Sequence, residues 1–335
     1  MIARHFGSVT SFYQTHIKKK EVCLMKKIDL HSHYFSPGFI RYLDAYFDGK
    51  GAGVATPSFS IEAYLKFMEE MEIDYGVLSI AGPHHSAAPD DVMVEVNEEA
   101  NAYGAELSKK YPDKIGLFAS LPIPLVDASI QAIDRALDVH QAVGFTLPSH
   151  ARGIYLGDPS LDPIFEKLNE RHAIVAIHPN EPQPINPSIK KKVFTPLMEF
   201  FFDTTRAIVY MNQNRTFSKF PNIKWIVPHS GALLPVIAQR IDMGNAIFEY
   251  EEQPDDILKT MNNLYFDLAG KVLPQQLPML LQMADENHIV YGSDTPYTIE
   301  PVVKKLTDEI LTTDMITDEQ KEKFMYQNAE KLLGR

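Results

Sequence analysis

The chain has 335 residues, 45% of them hydrophobic, and sets 32 Lys and Arg against 44 Asp and Glu for a formal net charge of −12. That charge argues against nucleic acid or an anionic membrane surface as the main partner, and no apolar run reaches the roughly 18 residues of a membrane span. A single cysteine, Cys23, excludes an internal disulfide framework and a Cys-rich zinc site, and suits a reducing cytoplasm.

Met1 to Lys20 carries no acid and lacks the apolar core of a secretory signal. Residues 1–24 are expected to be a flexible extension, with one domain from 25 to 335. That domain opens with Lys27-Ile-Asp-Leu-His31-Ser-His33-Tyr-Phe35, a strand by its alternation, which Ser36-Pro37-Gly38 ends. The connection from Pro37 to Ser60 is too long for a minimal turn and reads as a lid or rim segment. Ser60 is an expected N-cap, followed by Ile61, Leu65, Met68 and Met71 at helical spacing.

A regular rhythm follows. Strands are expected at Tyr75–Ile80, Ile115–Leu121, Val143–Leu147, Ala173–His178, Ile223–His229, Asn263–Leu268 and His288–Asp294. Helices alternate with them at Asp90–Lys110, Asp127–Gln141, from Asp162-Pro163, Val193–Phe220, Leu233–Arg240 and Pro274–Ala284, and a C-terminal helix pair closes the chain. Eight strands alternating with helices predict a (β/α)8 TIM barrel. A doubly wound sheet would show a Gly-rich phosphate turn after its first strand, where this chain has histidines.

Barrels of this kind do their chemistry where the strands end. His31 and His33 lie two apart on a strand and point to the same side. Strand five ends in His178, strand six in His229 and strand eight in Asp294. A lone histidine at a strand end is usually structural, but four strands ending in such residues point to a site for one divalent metal, Zn2+ by its imidazole content, with Mn2+ the alternative. His31, His33, His178 and Asp294 would be ligands, leaving His229 for proton transfer.

These residues resemble the amidohydrolase superfamily, in the branch that holds aminocarboxymuconate-semialdehyde, resorcylate and methylsalicylate decarboxylases. Three local signatures carry the likeness: Gly153-Ile-Tyr-Leu-Gly-Asp-Pro159, His229-Ser-Gly-Ala-Leu-Leu-Pro235 and Tyr291-Gly-Ser-Asp294-Thr-Pro296. The resemblance implies that the family's HxH falls on His31 and His33, its strand-five histidine on His178, its catalytic histidine on His229 and its strand-eight aspartate on Asp294. Strand four lacks the lysine that bridges two metals in many hydrolytic members, so a mononuclear site is implied. Some manganese-dependent members carry Glu where this chain has His31, which also favours zinc. Arg240 matches an arginine that, in the aminocarboxymuconate enzyme, enters the neighbouring subunit's site to hold a substrate carboxylate; a surface arginine is the plain alternative. The implied protein is a cytoplasmic homodimer that decarboxylates a small aromatic or unsaturated carboxylic acid, salicylate-like, with His229 and Asp294 both able to supply the proton. A lactone or amide hydrolase, a double-bond hydratase and a non-catalytic binding module are the alternatives. Near the barrel mouth, His84, His85, His150 and Arg152 are further candidates for substrate contact. Arg206 is expected to form a salt bridge, and His172 and His288 fall on the opposite, stabilising face. Phe200-Phe201-Phe202 cannot all face one core, so part of their helix is a candidate dimer surface.

Overall fold

The structure is a computed structural model, and it describes residues 25–335 except Gln183. The expectation for residues 1–24 lies outside the described residues. Among the described residues, eight strands form one parallel sheet in sequence order: β1 (Ile28–His33), β2 (Tyr75–Ser79), β3 (Ile115–Ser120), β4 (Gly144–Pro148), β5 (Ile174–His178), β6 (Lys224–Val227), β7 (Tyr265–Asp267) and β8 (Ile289–Val290). The first and last strands meet. Leu30 N–H donates to Tyr291 O at 3.0 Å, Asp294 N–H to His31 O at 2.7 Å and His33 N–H to Thr295 O at 2.8 Å. This is the expected (β/α)8 barrel.

Its interior is a packed core, not a pore. Ile28, Leu30, Val77, Phe118, Ile226 and Val290 fill the barrel, and a larger apolar layer lies between strands and helices. Helices α1 (Pro37–Phe47), α2 (Ile61–Met71), α3 (Asp90–Lys110), α4 (Val126–Asp138), α5 (Asp162–Glu170), α6 (Thr195–Gln213), α7 (Leu234–Ile247) and α8 (Glu300–Thr312) form most of the outer ring. Ser60 caps α2 by accepting from Ala63 N–H at 3.1 Å, as its position implied. In α3, Asp90 and Asp91 in the first turn and Lys109 and Lys110 in the last both complement the helix dipole.

Three expectations need correction. The connection from Pro37 to Ser60 is a rim segment as expected, with Gly51, Ala52 and Val54 lining a cavity at the barrel mouth, but it also contains a full helix, α1, and a hairpin pairing Lys50–Gly51 with Val54–Ala55. Ser36-Pro37-Gly38 does end the strand, but Ser36 also caps α1 through Phe39 N–H at 3.1 Å, with proline in the first turn where its missing N–H costs nothing. The helix expected over Val193–Phe220 ends at Gln213. Arg215 takes φ +62°, a short helix restarts at Thr216, and the break turns the chain towards β6. Strand eight pairs with β7 only over Ile289–Val290, because from Tyr291 onward the chain bonds to β1 instead. No described helix is long and apolar enough to cross a membrane.

Candidate metal centre

Five side chains converge at the carboxyl end of the barrel. The His31 and His33 rings lie 5.0 Å apart, centre to centre, at 82°. His178 is 5.0 Å from His33 and 5.7 Å from His31, and His229 is 5.3 Å from His31. Asp294 Oδ1 sits 3.2 Å from His33 Nε2 and 3.6 Å from His31 Nε2, and its Oδ2 is 4.0 Å from His229 Nε2. Donor atoms of His31, His33 and His178 all fall within 4.8 Å of one another, as do those of His31, His229 and Asp294. That spacing lets three of them at a time meet one ion, with His31 common to both sets. β1 makes this possible with a register shift against β2 between Asp29 and Ser32, an irregularity of the kind that re-aims a side chain beside an active site.

What orients each ring is equally specific. His31 Nδ1 is 2.8 Å from Asp267 Oδ2, leaving Nε2 buried, directed at the cluster and without a partner. His33 Nδ1 lies 3.3 Å from Ser79 Oγ, so its Nε2 also points inward. The Nδ1 of His178 meets backbone, 2.9 Å from Pro179 O and 3.1 Å from Gly82 N–H, which frees its Nε2. Asp267 has a second task. Its Oδ1 accepts from His229 N–H at 2.9 Å and Ala269 N–H at 3.1 Å. One carboxylate thus sets a ring on β1 and the backbone after β6. The turn His229-Ser230-Gly231-Ala232 is held at positive φ throughout, 55°, 53°, 78° and 53°, and the Gln276 side-chain amide bonds the carbonyls of His229 (2.6 Å) and Ala232 (3.1 Å). Strain of this sort persists only where its surroundings fix it. Sequence reading missed Asp267 although it places it at a strand end. It also missed Asp29, buried, whose carboxylate accepts from His31 N–H and Ser293 N–H, both at 3.0 Å.

Electrostatics follow from the crowding. Burial opposes charge on His31, yet Asp267 beside it overrides that and lifts its pKa to about 9. The same burial lowers His33, His178 and His229, so their rings are neutral and have lone pairs to offer. For Asp294, burial raises the pKa but the hydrogen bond with His33 and the charge on His31 bring it down to about 2. Burial holds the Asp29 carboxyl at about 6 despite its hydrogen bonds. A carboxylate among four imidazoles, with the orphaned His31 Nε2 at their centre, is the chemistry of a divalent-metal site.

The cavity in front of the cluster has a volume of about 440 Å³, and His178, His229, Asp294, Phe200, Phe201 and Tyr297 contribute to its wall. Phe201 stacks on His229 at 5.8 Å and Phe200 meets His178 at 6.0 Å, while Phe202 is 40% exposed on the outer side of α6. Burial raises the Tyr297 pKa, keeping it a phenol.

The remaining candidates divide. His84 is buried 6.1 Å from the His178 ring, behind the cavity, and His85 packs edge-on against Phe39 at 5.3 Å. His150 Nε2 faces Glu181 O at 3.2 Å, and Arg152 pairs with Asp90 at 2.7 Å, so both tie loops together. Arg240 is exposed on α7. With Arg206 it lines a second cavity, of about 930 Å³, and in a single chain it is not brought to the cluster.

A model of the amidohydrolase family matches residues 28–335, nearly the whole described chain. The protein belongs to that family. Decarboxylase macB of Penicillium terrestre is 30% identical over 84% of this chain and 87% of its own, and the 6-methylsalicylic acid decarboxylase of Penicillium expansum is 26% identical over 85% and 89%. Among solved structures, one described as amidohydrolase II is 38% identical, with a TM-score of 0.88 over 92% of this chain and 100% of that one. The manganese complex of 5-carboxyvanillate decarboxylase from Novosphingobium aromaticivorans shares the fold at 22% identity, with a TM-score of 0.84 over 94% and 97% of the two chains.

Proposed function

We infer that this protein is a metal-dependent, non-oxidative carboxy-lyase that removes CO2 from a small aromatic carboxylic acid of salicylate size. The observation that carries the inference is the convergence of His31, His33, His178, His229 and Asp294 on a cavity of about 440 Å³, in a chain similar to fungal decarboxylases. That volume suits a single substituted ring. Lys271 is the one Lys or Arg among the described residues lining it, which fits a substrate with one carboxylate better than a diacid. The similarity to decarboxylases does not favour the hydrolase alternative.

His31, His33, His178 and Asp294 would hold the metal, with zinc favoured by the three imidazoles and manganese the alternative. Bound there, the metal would supply Lewis acidity and a second anchor for the acid's oxygens. The chain's own residues handle the proton. His229 lies 4.0 Å from Asp294, whose charge favours the protonated ring, so the pair can take up a proton from solvent as imidazolium and deliver it to the ring carbon that bears the carboxylate. The new C–H bond interrupts conjugation. The C–C bond to the carboxylate then breaks, its electron pair restores the ring, and CO2 departs. Phe200, Phe201 and Tyr297 seat the ring and exclude water.

Metal analysis of the purified protein, joined to a CO2-release screen over hydroxybenzoates, tests this. The expected result is about one zinc per chain and CO2 from at least one acid; metal without CO2 from any acid would overturn the lyase reading. The homodimer is part of the same proposal. Val236, Met243, Ile247 and Phe248 are each more than half exposed on and just beyond α7, beside the cavity that Arg240 and Arg206 line. A second copy covering that face would bury them and bring Arg240 towards its partner. A fully active monomer in sedimentation would dispose of that role for Arg240.

A further inference from the structure

Buried tyrosine hydroxyls in this barrel have partners. Tyr34 donates to Ala100 O at 2.8 Å, Tyr64 meets Ser32 Oγ at 2.8 Å and Tyr291 meets Thr307 Oγ1 at 2.9 Å. Tyr297 is the exception in this group. Its hydroxyl is buried, has no hydrogen-bond partner, and belongs to a residue that lines the same cavity as His229 and Asp294. An orphaned hydroxyl in a closed site costs free energy, and the cost disappears when a bound molecule supplies the acceptor.

The hydroxyl is also held in place. The Tyr297 ring stands edge-on to His33 and to Phe35, both at 5.8 Å, so it is locked to the metal cluster on one side. On the other side Gly51, in the hairpin after α1, closes over it. A Cβ at Gly51 would lie 2.9 Å from Gly82 O, closer than a side chain tolerates, and 3.3 Å from the Tyr297 oxygen, a tight contact. Gly51 lines the cavity too. The hairpin therefore leaves little room beside the phenol, and the hydroxyl is confined at the cavity wall.

We propose that Tyr297 is a specificity determinant that donates its hydroxyl hydrogen to an oxygen of the bound aromatic acid. That oxygen is either the carboxylate or a ring hydroxyl beside it; the chemistry of recognition is the same for both. The assignment rests on the carboxylic-acid reading of the site.

The test is a two-by-two binding comparison on the metal-loaded full chain. Dissociation constants for 2-hydroxybenzoate and benzoate are measured by calorimetry in the parent and in Tyr297→Phe. Loss of one such bond to an anionic oxygen is expected to weaken binding roughly tenfold. A tenfold loss for both acids assigns the bond to the carboxylate. Loss for 2-hydroxybenzoate alone, so that the two acids become equal, assigns it to the ring hydroxyl. Unchanged constants for both would overturn the proposal. If neither acid binds the parent chain, it is the carboxylic-acid reading that fails. Thermal melting supplies a control: removing an orphaned hydroxyl should leave Tm level or raised, whereas a drop in Tm with unchanged binding would make Tyr297 a structural residue.

Discussion

The two ends of this barrel carry similar residues in opposite conditions. At the amino end, His288 stacks on Tyr265 at 4.3 Å and its Nδ1 meets Asn262 O at 3.1 Å, while the Asn328 amide donates to the carbonyls of Glu286 and Ile289. These polar groups satisfy one another. At the carboxyl end, atoms of His31, His84, His229 and Tyr297 are buried without partners, and His84, His229, Ser230, Ala232 and Asp294 all sit at positive φ. The same residue types thus satisfy one another in that cluster, while at the carboxyl end their unmet atoms gather around His33 and His178.

Breaking the contrast at its centre should have the largest effect. His178→Ala is expected to abolish metal retention and turnover while far-UV circular dichroism stays native; full metal content in that variant would remove His178 from the ligand set. His229→Asn comes next. It should keep its metal and lose roughly 10²–10⁴-fold in kcat, and near-parent rates would end its role in proton transfer. Asp267→Asn tests the support beneath both: metal affinity should fall about 10–100-fold, because the His31 ring loses the anion that orients it. A competition titration with a chelator measures this. The smallest effect belongs to the other end. His288→Ala should cost about 1 kcal/mol of stability, read by urea unfolding, and leave kcat/KM unchanged. A large loss of activity there would break the division between the ends.

The parts of this site that depend on short-range periodicity were legible in the sequence. Alternation fixes that His31 and His33 share a side, and strand lengths put His178, His229 and Asp294 at one end of the barrel. Asp267 was hidden because in Tyr265-Phe-Asp-Leu-Ala269 it looks like one polar step in an alternating strand; only closure of the barrel sets it against His31. Tyr297 and Gly51 were equally silent, since their contact joins the turn after β8 to a hairpin far away in sequence. Helix α1 was missed for a local reason. Ser-Pro-Gly stops a strand and starts a helix with the same chemistry, and the apolar spacing of Phe39, Tyr42 and Leu43 would have told the two apart. The fate of Phe200-Phe201-Phe202 was half visible: one side of α6 cannot hold all three, but which two face the cavity depends on where α6 crosses the barrel mouth.

Asp29 gives the site a schedule. Its carboxylate fastens β1 to the last strand by accepting from Ser293 N–H, 264 residues further on, while also holding His31 N–H. The first pair of histidines therefore leaves the ribosome on the order of ten seconds or more before Asp294 does. Until then the barrel has no closing seam, and His31 lacks Asp294 and the closure that sets Asp267 against it. On the proposed ligand set, full metal loading would be a late event, conditional on synthesis of the whole barrel. A chain truncated before β8 would carry three of the proposed ligands and still have no complete place to put the ion.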